Sequence, residues 1–114
     1  MTKILISPSK YIQGKGEIKR IKERAADLGD SFFIIISESG YKRFGQSIME
    51  GFNESDNVYF AKFNGECSKI EIDRLRSEFR EKGSNVVIGI GGGKIHDTAK
   101  AIGYYEKTPV VIVP

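Results

Sequence analysis

The stretch Val86-Val87-Ile88-Gly89-Ile90-Gly91-Gly92-Gly93-Lys94-Ile95-His96-Asp97-Thr98-Ala99-Lys100 narrows most what this chain can become. A β-branched run, three positions without side chains, and Ile95, Ala99 and Ile102 at helical spacing describe a buried strand turning sharply into a helix. Glycine reaches positive φ without cost and lets a ligand approach the backbone. The free N–H groups at the helix start and the positive end of its dipole favour a phosphate there, and Lys94 adds a mobile charge. The plainer reading, a tight turn with no ligand, would need only one glycine. Two familiar phosphate motifs fail. A G-x-G-x-x-G frame on Gly89 and Gly91 puts Lys94 where its last glycine belongs. A Walker A frame ending in Gly93-Lys94 puts Ile95 where the magnesium-binding hydroxyl belongs. ATP hydrolysis is disfavoured, and a phosphate cradle of another kind survives.

The rest of the chain alternates strand-like and helix-like segments. Lys3–Ser7 is a short apolar strand candidate ended by Pro8. Ile18, Ile21, Ala25 and Leu28 form one stripe of a helix ending at Gly29. Phe32–Ile36 is a strand buried on both faces, and Tyr41, Phe44, Ile48 and Phe52 form a second helical stripe. Val58–Phe63 alternates as a strand. Ser68 and Glu71 fit a capping box, opening a helix with Ile72, Leu75 and Phe79 that stops at Gly83. Pro109 ends the helix after the glycines, and Val110–Val113 is the last apolar strand. Short links between such elements predict an α/β domain, a doubly wound and mostly parallel sheet.

Composition bounds the chemistry. At 114 residues the chain makes one domain, with 39% hydrophobic and 29% charged residues. Its longest apolar runs fall far short of the roughly 20 residues of a membrane span, so no membrane partner is expected. One cysteine, Cys67, excludes an internal disulfide and fits a reducing cytoplasm. With His96 as the single histidine, no soft-ligand zinc set can be built from this chain. The basic residues Lys10, Lys15, Lys19, Arg20, Lys22 and Arg24 interleave with Glu17, Glu23 and Asp27. They read as a solvated helix face, and no nucleic-acid partner is expected.

Glu38 follows the buried run Phe32–Ile36 and should lie at the carboxyl edge of the sheet. A carboxylate there can accept from both ribose hydroxyls of an adenosine and repel the 2′-phosphate of NADP. Equally, it can simply favour the start of the next helix. It precedes the glycine turn by roughly fifty residues, whereas the dinucleotide fingerprint has its acid about 20 residues after. That excludes the fingerprint's chain order and leaves its geometry open. Asp97 either pairs with the helix dipole or contacts the nicotinamide side of a cofactor. His96 reads as a surface or supporting histidine, and Cys67 as a free structural thiol.

Three blocks resemble the glycerol dehydrogenase family of the iron-type, metal-dependent polyol and alcohol dehydrogenases. Ser7-Pro8-Ser9-Lys10-Tyr11-Ile12-Gln13-Gly14 is similar to the family's S-P-x-K-Y-x-Q-G. Phe63-Asn64-Gly65-Glu66-Cys67-Ser68, with Glu71-Ile72 and Arg74-Leu75, is similar to F-x-G-E-C-S-x-x-E-I-x-R-L. Gly89–Ala101 is similar to G-x-G-G-G-K-T-L-D-T-A-K-A, and Pro109–Pro114 to P-V-V-I-V-P. The resemblance implies that residues 1–114 are a Rossmann-like, NAD-binding N-terminal domain. A helical domain holding a divalent metal, usually zinc, would follow, with ligands outside this chain. It also implies a small polyol substrate such as glycerol, oxidised to dihydroxyacetone, and a homo-oligomer at full length.

Carried over by position, Glu38 matches the ribose acid, usually Asp. Gly92, Gly93 and Lys94 match the pyrophosphate turn, and Ile95, His96 and Asp97 continue the cofactor-contacting segment. Ile95-His96 replaces the usual Thr-Leu, which removes a hydroxyl. No catalytic residue and no metal ligand maps onto the chain, so the 114 residues alone are expected to be inactive. Other readings are a non-catalytic nucleotide-binding module, a glycerol-1-phosphate dehydrogenase and a dehydroquinate synthase relative. The Y-x-Q-G and G-E-C-S blocks speak against the last two.

Overall fold

The structure, a computed structural model, describes residues 9–14 and 16–114. The strand candidate Lys3–Ser7 lies outside them. Strands β1 (Ser9–Tyr11), β2 (Ser31–Ile36), β3 (Asn57–Lys62), β4 (Val86–Ile90) and β5 (Val110–Val113) alternate with helices. A 3₁₀ turn (Glu17–Arg20) leads into α1 (Ile21–Ala25), followed by α2 (Glu38–Glu50), α3 (Lys69–Glu81) and α4 (Gly93–Glu106). The strands form one sheet in the order β1-β5-β4-β2-β3, with every neighbouring pair parallel. The doubly wound expectation is met. β1 lies beyond Pro8, where the sequence pattern predicts the end of a strand. Among the described residues β1 is an outermost strand and pairs with β5 alone, which lets a short polar segment join the ladder.

Side-chain alternation divides the core. Phe32, Ile34, Ile36, Val86, Ile88 and Val111 face one layer, which contains Ile21 and Ala25 of α1 and Ile48 of α2. Phe33, Ile35, Val87, Val110 and Ile112 face the other, filled by Leu75 and Phe79 of α3 and by Ile95, Ala99 and Ile102 of α4. Both faces of β2 and β4 are therefore covered, which is why these strands read as unbroken apolar runs.

Two helix readings need correction. On α2, Ile48 is buried but Tyr41 and Phe44 are largely exposed, so the buried face is narrower than the stripe. Tyr41 instead packs edge-on against Phe60 of β3 at 4.9 Å. On α3, Ser68 caps as expected, its Oγ accepting from the Glu71 N–H at 3.1 Å. The return half of the capping box is not made. The Glu71 carboxylate is buried and accepts from the Asn64 N–H at 2.8 Å and from the Arg74 guanidinium at 2.7 and 2.8 Å. A tertiary partner outcompetes the local one.

The interleaved charges near the N-terminus close on one another. Arg20 pairs with Glu23, Arg24 with Glu17, and Lys10 with Asp27. Lys22 reaches across to Asp56. Among the described residues, no helix is long and apolar enough to cross a membrane.

Candidate functional site

Sheet order creates a crevice. From β2 the chain goes to its neighbour β3 through α2 on one face; from β4 it goes to β5 through α4 on the other. The two strands are adjacent and parallel, with Ile36 opposite Ile90 at their carboxyl ends. Neighbouring strands whose connections diverge leave an open crevice beyond those ends, the usual place for a ligand in open α/β sheets. Glu38 begins α2 on one side, and the glycine turn leads into α4 on the other.

The turn is built by its glycines in distinct ways. Gly91 has φ +141°, and a Cβ there would lie 2.8 Å from Ile95 Cδ1. Its N–H donates to the Val113 carbonyl at 3.0 Å, which ties the turn to β5. Gly89 is the close-packing glycine of β4, since a Cβ would lie 2.9 Å from Ala99 Cβ. Gly92 and Gly93 are exposed, with nothing within 4 Å of where a Cβ would stand. The Gly92 carbonyl accepts from the N–H groups of Ile95 and His96 at 3.1 and 3.0 Å. The N–H groups of Gly92, Gly93 and Lys94 meet no acceptor among the described residues. This leaves an open, electropositive cradle at the start of a fourteen-residue helix.

The remaining expected residues divide. Lys94 is exposed, and its Nζ donates to Glu66 Oε1 at 2.8 Å. Ile95 is buried, so its side chain belongs to the core, and only its backbone belongs to the turn. His96 is half-buried, and its Nε2 has no partner among the described residues. Asp97 is exposed one turn into α4, past the helix start where the sequence pattern puts it, while Thr98 behind it is buried, its hydroxyl donating to the Lys94 carbonyl at 2.7 Å. Cys67 is an exposed free thiol.

On the β2 side, Ser37 caps α2 by accepting from the Gly40 N–H at 3.0 Å. The Glu38 carboxylate accepts from Lys62 Nζ at 2.8 Å, and that lysine, with Lys42 further off, holds it below the usual glutamate range. A cavity of about 270 Å³ opens beside it, lined by Ile36, Ser37, Glu38, Tyr41, Phe60 and Lys62. Aromatic and aliphatic walls with a charged rim suit a flat heterocycle attached to a polar sugar.

Lys62 and Glu66 were not singled out from sequence. Each acts through a partner distant in the chain, and only the register Ile36 opposite Lys62 brings the end of β3 next to Glu38.

A dinucleotide fits this donor set, because Gly92 and Gly93 leave backbone room and Lys94 supplies charge. A metal does not: among the described residues no three or more His, Cys, Asp or Glu side chains come together.

Comparison with known proteins places the chain in a family and a fold. The family model described as iron-containing alcohol dehydrogenase matches residues 8–114. A glycerol dehydrogenase of Citrobacter freundii is 45% identical over 100% of this chain, which covers 32% of that protein. One from Thermotoga maritima is 43% identical over 96% of the chain and 30% of its own length. The crystal structure of a probable glycerol dehydrogenase from Sinorhizobium meliloti superposes with a TM-score of 0.80 at 35% identity, over 92% of this chain and 28% of that one. The glycerol dehydrogenase from Schizosaccharomyces pombe gives 0.81 at 28% identity, over 97% and 28%. The chain thus spans about a third of the length of the relatives it matches. With this fold, this glycine turn and these matches, the chain belongs to the iron-containing alcohol dehydrogenase family.

Proposed function

We propose that this chain is the nucleotide-binding part of an NAD-dependent glycerol dehydrogenase, holding NAD across the β2–β4 crevice. The observation that carries this is the juxtaposition of an open backbone cradle at Gly92-Gly93-Lys94 with the Glu38 carboxylate, one strand away at the same sheet edge. The relatives named as glycerol dehydrogenases supply the polyol class of the substrate.

In this reading the N–H groups of Gly92, Gly93 and Lys94 donate to the pyrophosphate, and Lys94 neutralises it once released from Glu66. Glu38 accepts from the ribose hydroxyls of the adenosine, and the cavity lined by Tyr41 and Phe60 takes the base. Asp97, exposed one turn into α4, lies toward the nicotinamide side. When bound, NAD accepts the hydride from the substrate carbinol. The residues of this chain bind and orient it. The metal expected in this family is held by residues outside the ones described, and the chain by itself does not turn over.

Isothermal titration with NADH tests the binding half of the proposal. Saturable one-site binding, weakened at least tenfold by Gly92→Val, is expected. Equal binding by that variant would refute the cradle. Glycerol-dependent NAD reduction by the isolated chain with added zinc would refute the division of labour.

A further inference from the structure

We propose that Lys62 sets the cofactor range of this site, its ammonium receiving the 2′-phosphate of NADP that Glu38 alone would repel, so that the site takes both NAD and NADP. This rests on the nucleotide reading above and deepens it.

A lone carboxylate at this position selects against NADP because it meets the 2′-phosphate charge to charge. Glu38 is not alone. Lys62 Nζ stands 2.8 Å from Glu38 Oε1, so the acceptor assigned to the ribose hydroxyls and an ammonium share one point of the sheet edge. Lys42, one turn along α2, adds its field to the same carboxylate. With Glu38 ionised and both lysines charged, the corner carries a net positive charge. The positive end of the α2 dipole adds to it, and the Ser37 and Ser39 hydroxyls lie 3.3 Å apart beside it.

The lysine is anchored at its base and free at its tip. Its carbonyl accepts from Arg74 Nη2 at 2.7 Å, and that guanidinium is fixed on the buried Glu71 carboxylate at 2.7 Å. Its side chain is 59% exposed, as is that of Glu38. An exposed pair of this kind is held weakly. Lys62 can therefore stay on Glu38 while a ribose diol binds, or turn its donors to a phosphate in place of the 2′-hydroxyl. A charge-assisted contact to phosphate is the stronger of the two. Lys62 is thus a specificity-determining residue, with no part in moving the hydride.

The test compares ADP with 2′-phospho-ADP, which differ only in the 2′-phosphate, by titration calorimetry on the chain and its variants. In the wild type the two are expected to bind within about tenfold of each other, and Lys62→Gln is expected to lower the 2′-phospho-ADP to ADP affinity ratio about tenfold. Glu38→Gln should raise that ratio, and adding Lys62→Gln should remove the gain. Lys69→Gln makes the same charge change on an 88% exposed side chain of α3 and should leave the ratio unmoved. An unchanged ratio in Lys62→Gln, or an equal fall in Lys69→Gln, would overturn the proposal while the nucleotide site stands. Failure of the wild type to bind ADP would overturn the nucleotide reading, and this proposal with it.

Discussion

Ile36 of β2 and Ile90 of β4 are register partners at the carboxyl edge of the sheet, and the chain leaves them toward opposite faces. That relationship brings Glu38 and the glycine turn, roughly fifty positions apart in sequence, to neighbouring strand ends, in the reverse of the dinucleotide fingerprint's chain order.

Gly91 and Gly92 should separate by role. Gly91→Ala forces a Cβ into positive φ and against Ile95, and should cost about 1–3 kcal/mol of stability. Gly92→Ala, with φ −88° and open space around it, should cost under about 1 kcal/mol yet weaken NADH binding. Thermal melts paired with titration calorimetry check both. Equal destabilisation by the two would contradict the assignment.

Releasing Lys94 should help the ligand. The Glu66 carboxylate holds it across an exposed pair, worth at most about 1 kcal/mol, so Glu66→Gln should tighten ADP binding no more than about fivefold. Lys94→Met should weaken it, with a shallower dependence on salt. A looser complex in Glu66→Gln would show that the glutamate serves the ligand rather than competing with it.

Acid should unfold the chain partly through Glu71. Arg74, followed by the Asn64 N–H, holds its carboxyl below the usual glutamate range against the opposing effect of burial. A folded value below the unfolded one means this stabilisation is complete above pH of about 4.3 and lost as pH falls through the folded value. Glu106, held down by Arg80 and Arg76, has the same sign. Arg74→Met should cost about 2 kcal/mol at neutral pH and flatten the acid limb of the urea midpoint against pH. An unaltered limb would remove Glu71 from the account.

Much of the fold was legible because its signals are local. Val86–Ile90 and Phe32–Ile36 announce buried strands, Ile21 and Ala25 a helix face, and Ser68 a cap. What stayed hidden depends on partners remote in sequence. Nothing near Glu71 foretells that Arg74 and Asn64 will take its carboxylate from the cap, and nothing near Tyr41 foretells Phe60. Of the site, Glu38, Gly92, Gly93 and Lys94 stand around the crevice as expected from motif and strand end. Ile95 carries the motif position but spends its side chain on the core, since the helix must bury one face against β4. Lys62 and Glu66 needed the parallel register and the α3 loop to be seen.

The most direct measurement of the central claim is an amide chemical-shift titration of the ¹⁵N-labelled chain with NAD. The account expects saturable shifts at Gly92, Gly93, Lys94 and Glu38, on the two sides of the β2–β4 crevice. Shifts confined to another surface, or none at saturating NAD, would contradict it.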